Sequence, residues 1–262
     1  MRPPTRTPRL LAVPAAIGLL LLSLPIAALL WRMPWSSVWS LWSDPDALEA
    51  LRVSLVVSGA SAVLCLVLGL PLAWFIGRLD RRWGPLVRAI VLLPMVLPPV
   101  VAGTALLFAL SPRRGLLGPA LDRIGVVLPF TTAGAVLAAT VVALPFFVIT
   151  AESALRPDPD GLEDAAATLG ASPTTILRRI TLPRALPAVA AGTALAWARA
   201  LGEFGATITF AGNVPGRTRT LPLAIFQDLE GGRFESALAL SLILLIVSLA
   251  VLITLRDRWL LR

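Results

Sequence analysis

Long apolar windows alternate along the chain with short charged segments. Each window holds at least about 20 residues, the length that an α-helix needs to cross a hydrocarbon core of ~30 Å. One window, Ala185–Gly216, is interrupted only by Arg199 and Glu203. The pattern predicts an all-α integral membrane chain with six transmembrane helices, and the five uninterrupted windows are Leu10–Trp31, Val53–Gly77, Ala89–Pro112, Ile124–Ala151 and Ser236–Leu255.

The longest charged interruption, residues 160–183, carries the signals of a helical hairpin. Asp160 with Glu163 three residues later forms a capping box, which predicts a helix start. Gly170 is placed to end this first helix in the left-handed conformation. Ser172 followed by a proline predicts the next N-cap. Pro183 is expected to end the second helix.

Four residues of the first hairpin helix are spaced i, i+3, i+4 and i+7, which predicts one apolar face. Two of the four are alanines, so the face is shallow, and a helix this short is marginal alone in water. Such a face favours docking into a groove of another protein. The alternative is a surface hairpin that only links two membrane helices. The face consists of Leu162, Ala165, Ala166 and Leu169.

Two of the predicted spans contain features that are unusual in a membrane helix. The third span has a Pro98-Pro99 pair in its middle, which predicts a bend, and Gly103 just beyond it permits close backbone approach. The fifth span has Arg199 and Glu203 four residues apart on one face, where they can pair. Charges at this depth should face protein or water. The pair is interpreted either as a polar point on a substrate route, together with neighbouring Phe204 and Thr207, or as a structural ion pair at a subunit contact.

Composition agrees with a membrane protein. Hydrophobic residues make up 57% of the 262 residues, and the mean hydropathy is +0.84. All 23 basic residues are arginines, giving a net charge of +8. They lie beside the apolar windows, so they are interpreted as topology signals and not as a nucleic-acid surface. Their bias predicts that residues 1–9, the hairpin and the tail 256–262 are cytoplasmic.

The N-terminal segment has two interpretations. Arginines followed by an apolar run resemble a signal peptide, which would be cleaved. The run is long for a signal core, and the residues after it lack the small-residue cleavage pattern, so residues 10–31 are predicted to be a retained first transmembrane helix. The single cysteine, Cys65, lies within a span and allows no intramolecular disulfide.

No catalytic or metal-binding pattern occurs in the sequence. The chain has no histidine and no glycine-lysine phosphate loop, and its carboxylates lack metal-ligand spacing. We therefore expect no catalytic residue, no metal site and no cofactor bound by this chain. If transport uses energy, another chain must supply it.

The hairpin resembles the cytoplasmic signature of ABC-importer permeases, which reads Glu-Ala-Ala, three residues, Gly, nine residues, Ile, one residue, Leu-Pro. The aligned acid here is an aspartate, and a glutamate precedes it by one residue. The resemblance implies that this hairpin couples the membrane helices to a cytoplasmic ATPase. The residues implied to contribute are Glu163, Asp164, Ala165, Ala166, Gly170, Ala171, Ile180, Leu182 and Pro183.

The resemblance extends over residues 53–255, the predicted permease core of five helices. Segments at 97–103, 114–118, 200–207 and 212–225 look like the molybdate subfamily, and sulfate permeases share part of this pattern, including Gly202 to Gly205. The resemblance implies a type I ABC-importer permease in the bacterial inner membrane. Its implied path is lined by the third and fifth spans, with Pro98, Pro99, Gly103, Arg199, Glu203, Phe204 and Thr207 as candidates.

The same resemblance implies the partners. They are a cytoplasmic ABC ATPase dimer that binds ATP and magnesium, an extracytoplasmic oxyanion-binding protein, a second copy of this chain and membrane lipid. The leading hypothesis is a molybdate permease. The alternatives are a sulfate or thiosulfate permease and, from another class, a channel or secondary carrier that works without an ATPase. A membrane enzyme is the weakest alternative, because no nucleophile–base pair is present.

Overall fold

The computed structural model describes residues 9–80, 82–156 and 161–259. These residues form 13 α-helices and one π-helical turn, with no β-strand among them. The bounds of the helices are α1 Arg9–Arg32, α2 Val38–Trp42, α3 Pro45–Gly77, α4 Gly84–Val96, α5 Pro99–Leu110, α6 Gly118–Arg123, α7 Thr132–Leu155, α8 Leu162–Thr168, α9 Pro173–Ile176, α10 Leu182–Leu201, α11 Gly205–Phe210, α12 Leu221–Glu230 and α13 Phe234–Trp259, and the π-helical turn covers Leu177–Thr181.

Four helices, α1, α3, α7 and α13, are long and apolar enough to cross a membrane. The pair α4 and α5 would make a fifth span if it is counted as one. Helix α10 does not pass the same test, because it contains Arg199, Arg184 and two prolines among many alanines. Six spans were expected from the sequence, and the described helices support four or five by length and composition.

The predicted windows agree with the helices only approximately. Helix α3 begins eight residues before its window, at Pro45, where the Asp44 carboxylate accepts a hydrogen bond from the Asp46 backbone N–H at 2.8 Å. Helix α7 begins later than its window, at Thr132, because the Thr131 side chain caps it. Polar capping side chains, one before its apolar window and one within it, therefore decide where these spans begin.

Helices α3, α7 and α10 pack together and form the centre of the molecule. Phe147 of α7 is fully buried between two glycines. A Cβ added to Gly69 of α3 would lie 2.4 Å from the Phe147 ring, and one added to Gly192 of α10 would lie 3.0 Å from the Phe147 carbonyl oxygen. Small residues at these positions let the three helix backbones approach closely around one large ring.

The third predicted span is broken into two helices. Helices α4 and α5 meet at an angle of 112°, and Leu97 and Pro98 lie between them in an extended conformation. Proline has no backbone N–H, and the residue before a proline is disfavoured in the helical conformation, so Pro98-Pro99 interrupts the helix. The predicted bend is confirmed, although it is a complete break and not a kink.

The fifth predicted span is also broken. Helix α10 ends at Leu201, residues 202–204 are not helical, and α11 is a short helix of six residues. The segment before Thr132 in the fourth window is likewise a loop. A short helix, α12, leads through Gly231 and Gly232 into α13.

The hairpin differs from its prediction at both ends. Asp160, the predicted N-cap, lies outside the described residues, and the helix begins at Leu162 after Gly161, which has a φ of 70°. Pro183 does not end the second helix, because the helical run continues through the π-helical turn into α10. The Leu182 N–H bonds to the Leu177 carbonyl, five residues earlier. This wider turn accommodates Pro183, whose ring would clash within a regular α-helix.

Candidate functional site

The turn of the hairpin is formed as predicted. Gly170 has a φ of 84°, and its N–H bonds to the Ala167 carbonyl at the end of α8. The Ser172 hydroxyl accepts a hydrogen bond from the Thr175 N–H at 3.2 Å, and Pro173 occupies the first turn of α9. A glycine in the left-handed conformation and a serine N-cap thus form the turn that joins these two short helices.

The predicted apolar face of α8 has no partner within the described chain. The side chain of Leu169 is 88% exposed and that of Leu162 is 48% exposed. Ala165 is exposed and Ala166 is half-buried, and none of the residues of α8 is buried. A shallow apolar surface of this kind can be covered by a groove on another protein.

The two acidic residues of α8 have different environments. The Glu163 carboxylate accepts hydrogen bonds from the Arg78 guanidinium at 3.0 Å and from the Thr181 hydroxyl at 2.6 Å. Asp164 is exposed. Only Asp164 therefore remains on the open side of the helix, whereas Glu163 is bound to its own chain.

Arg78 lies where α3 ends and contacts three other parts of the chain. Besides Glu163, it donates a hydrogen bond of 2.6 Å to the Leu155 carbonyl at the end of α7. Its guanidinium also lies over the ring of Trp74, 4.3 Å from the centroid. One guanidinium thus connects the ends of α3 and α7 to α8.

A second ionic group lies beside the first. Glu152 of α7 is 5% exposed and accepts hydrogen bonds from Arg88 of α4 and, at 3.1 Å, from Arg156. None of these residues was among the sequence candidates, and neither were Arg78 and Thr181. The only sequence signal was an acid directly after a long apolar window, at Glu152, with arginines in the neighbouring loops.

The remaining hairpin candidates belong to its second half. Ala171, Ile180 and Leu182 are half-buried, and Pro183 is exposed. Leu182 lines an apolar groove of about 220 Å³, together with Leu70, Pro71, Trp74, Leu155 and Leu177. The hairpin therefore rests against the ends of α3 and α7, and its first helix protrudes.

The predicted pair in the fifth span is formed. The Arg199 guanidinium lies 2.6 Å from the Glu203 carboxylate. Glu203 is 2% exposed, and its other carboxylate oxygen accepts a hydrogen bond from the Ala206 N–H at 2.8 Å. The carboxylate thus binds both the last turn of α10 and the first turn of α11, across the break between them.

The two helix breaks lie against each other. A Cβ added to Gly205 would lie 2.9 Å from the Pro99 Cβ, and one added to Gly103 would lie 2.7 Å from the Ala206 carbonyl oxygen. Thr207 is buried, and its hydroxyl has no hydrogen-bond partner in the described part of the chain. Glycine at 103 and 205 is what allows this approach, since any side chain would displace a backbone.

Two candidates lie at the edge of this contact. Phe204 is half-buried, and its ring centroid is 5.0 Å from that of Phe226 in α12. Pro98 is exposed. All seven path candidates therefore lie in the two breaks or in the helical turns beside them, with Phe204 facing α12 and Pro98 open on one side.

Residues 9–80, 82–156 and 161–259 hold no group of three or more histidine, cysteine, aspartate or glutamate side chains that could bind a metal ion. The charged clusters that do occur are arginine–carboxylate pairs. Such pairs neutralise charge and join helices, and they offer neither a nucleophile nor an open metal ligand.

A family of transport proteins matches most of the core. The match, to the binding-protein-dependent transport system inner membrane component family, covers residues 69–262. The chain belongs to this family. The Molybdenum transport system permease protein ModB of Mycobacterium tuberculosis is 45% identical over 253 residues, 97% of this chain and 95% of that protein. The ModB protein of Escherichia coli is 41% identical over 221 residues, 84% of this chain and 95% of that protein.

The chain is also similar to a sulfate permease and to a solved ABC transporter. The Sulfate transport system permease protein CysT of Salmonella typhimurium is 34% identical over 241 residues, 91% of this chain and 87% of that protein. A bacterial ABC transporter that imports the acidic polysaccharide alginate has a chain with a TM-score of 0.77 at 21% identity, covering 94% of this chain and 92% of that one. At this identity the similarity concerns the fold, which is the all-helical fold of an ABC-importer permease.

Proposed function

We propose that the chain is the membrane permease of an ATP-driven molybdate importer. The observation that carries the proposal is the 45% identity, over almost the whole length, to a molybdenum transport permease. Identity to a sulfate permease is 34% over a similar length. Both anions are tetrahedral, so the higher identity is what favours molybdate, and sulfate remains the second candidate.

Coupling to an ATPase is proposed to occur through α8. Its exposed face, with Leu162 and Leu169 at the two ends and alanines between them, fits a shallow groove on a partner. Asp164 stands on the open side, where it can orient the contact by charge. Hydrolysis of ATP by the partner, which holds the nucleotide and magnesium, supplies the energy.

The translocation path is proposed to run beside the two helix breaks. The contact of Pro99 with Gly205 and of Gly103 with Ala206 joins α5 to α11. Two short half-spans in contact can change their angle with less loss of backbone hydrogen bonding than two continuous helices. The Arg199–Glu203 pair keeps charge at the break neutral between transport events.

The membrane arrangement is proposed to comprise six crossings. Helix α10 serves as the fifth and packs against both α3 and α7, where Arg199 is only partly exposed. The exposed helix α1 faces lipid. A second copy of the chain completes the path. The termini and the hairpin are cytoplasmic, which the excess of arginines in these segments supports.

The outer surface is proposed to receive an oxyanion-binding protein. Arg217 is exposed, and Arg219 donates a hydrogen bond of 3.3 Å to Asn213 in the same loop. The positive charge of these two arginines favours the approach of an anion to this loop.

The test is uptake of labelled molybdate by proteoliposomes that contain this chain together with its partner ATPase and its partner binding protein. We expect uptake that requires ATP and resists an excess of sulfate. Competition by equimolar sulfate would favour the sulfate permease. Accumulation against a gradient without the ATPase would contradict the proposal and favour a secondary carrier.

A further inference from the structure

Helix α8 is held in place by few contacts of its own. It has seven residues, and none of them is buried. An isolated helix of this length is unstable in water, and without a buried face it gains little from packing. Its orientation must therefore come from specific bonds, and within the described residues its ionic bond to the remainder of the chain is Arg78–Glu163.

We infer that Arg78 is a positioning residue, which fixes α8 to the inner ends of the membrane helices so that displacement of the hairpin moves them. This inference rests on the proposed function. We call Arg78, Glu163, Thr181 and the Leu155 carbonyl the clamp. Glu163 is thereby assigned to the clamp and not to the surface that meets the ATPase.

The geometry of the clamp makes it a junction of four segments. Arg78 follows α3, the Leu155 carbonyl ends α7, Glu163 lies in the first turn of α8, and Thr181 ends the π-helical turn that leads into α10. The side chains of Arg78 and Glu163 are 23% and 18% exposed, so water competes only partly for the pair.

The planar guanidinium is what permits the junction. One terminal nitrogen donates to the Leu155 carbonyl, and the other donates to both oxygens of Glu163 at 3.2 and 3.0 Å. The same group lies on the Trp74 ring, which limits its rotation. A lysine has one small ammonium and cannot bridge the two acceptors in this fixed arrangement.

The clamp continues toward the broken span. Arg156 follows Leu155 directly and bonds to Glu152, which also binds Arg88 of α4. Helix α4 is the inner arm of the break at Pro98. A movement of α8 can therefore reach α4, and with it the helix break, through these bonded groups at the end of α7.

The experiment compares Arg78→Gln, Glu163→Gln and the double variant, in the complete complex with its ATPase and binding protein. Arg82→Gln is the matched control, because Arg82 lies in the same loop and is exposed. The first measurement is the number of ATP molecules hydrolysed per molybdate imported. The second is the rate of backbone amide hydrogen exchange in α8, residues Leu162–Thr168, of the purified chain, which does not depend on transport.

Each single variant is expected to raise the ATP consumed per molybdate by about fivefold or more, the lower end of typical coupling between sites. The double variant should consume little more ATP per molybdate than either single variant, because the first substitution has already broken the bond between the two residues. Amide exchange in α8 should accelerate by a similar factor, the ATPase should still co-purify, and Arg82→Gln should resemble the wild type.

Three results would overturn the inference. They are an unchanged rate of amide exchange in α8 of Arg78→Gln, effects of the two single variants that add in full, and loss of ATPase co-purification in Arg78→Gln. If the wild-type complex imports no molybdate, the proposed function fails, and the exchange measurement still decides whether the clamp holds α8.

Discussion

Gly103 lies at the closest approach of the two broken spans, and replacing it with alanine tests whether their contact matters. The added Cβ would lie 1.8 Å from the Thr209 hydroxyl oxygen, 2.7 Å from the Ala206 carbonyl oxygen and 2.9 Å from the Ala206 Cα. The Thr209 side chain can rotate away, but the Ala206 backbone cannot. Helices α5 and α11 must then separate by several tenths of an ångström.

The cost of this separation can be worked out against a matched control. Overpacking a close contact costs about 1–3 kcal/mol. Alanine in a helix interior recovers about 1 kcal/mol relative to glycine. Gly59→Ala in α3 makes the same gain, and its added Cβ meets nothing within 4 Å. We expect Gly103→Ala to be about 1–3 kcal/mol less stable than Gly59→Ala.

The assay measures thermal unfolding of both variants in detergent and their molybdate uptake in proteoliposomes. A difference of this size corresponds to a fall in Tm of about 2–10 °C for a chain of this length. Uptake by Gly103→Ala should fall severalfold, while Gly59→Ala should transport normally. Equal Tm values and equal uptake in the two variants would refute a functional contact between the breaks.

Three other substitutions give sharp expectations. Gly170→Leu should reduce uptake while membrane insertion persists, because a left-handed conformation costs a non-glycine residue about 1–2 kcal/mol. Gly125→Leu controls for general strain, because Gly125 also has a positive φ and open space around it. Normal uptake by Gly170→Leu would contradict coupling through the hairpin. Leu169→Ala should leave the Tm unchanged but weaken co-purification of the ATPase about tenfold, because the exposed side chain would lose about 1.5 kcal/mol or more of burial at the interface; unchanged co-purification would place the interface elsewhere. Glu203→Gln should lower uptake more than assembly. Loss of the pair should destabilise the fold by no more than about 3 kcal/mol, because the Arg199 side chain is 26% exposed and water can partly solvate its charge. A failure to form the dimer would instead favour a structural ion pair.

The position of the hairpin shows how far local signals extend. The turn at Gly170 and the cap at Ser172 were predicted correctly, because each depends on residues within four positions of itself. The prediction for Pro183 was wrong. A proline signal predicts a helix end, but a π-helical turn just before it let the helical run continue into α10.

Local spacing likewise predicts one of the ionic contacts and misses another. The Arg199–Glu203 pair could be predicted from its spacing of four residues. The Arg78–Glu163 pair could not, because its members are 85 positions apart and meet only when α3 and α7 pack side by side. Glu163 was therefore interpreted as part of the docking surface, whereas its carboxylate is bound within the chain.

The sequence by itself determined the membrane class, the apolar windows, a bend at Pro98-Pro99 and the resemblance of the hairpin to ABC-importer permeases. Each of these is written in composition or in neighbouring residues. Only the tertiary structure decided that the two broken spans meet at Gly103 and Gly205, and that Arg78 joins α8 to the ends of α3 and α7. The physical reason is that close packing and bridging hydrogen bonds depend on distances between segments, which no local pattern of residues specifies.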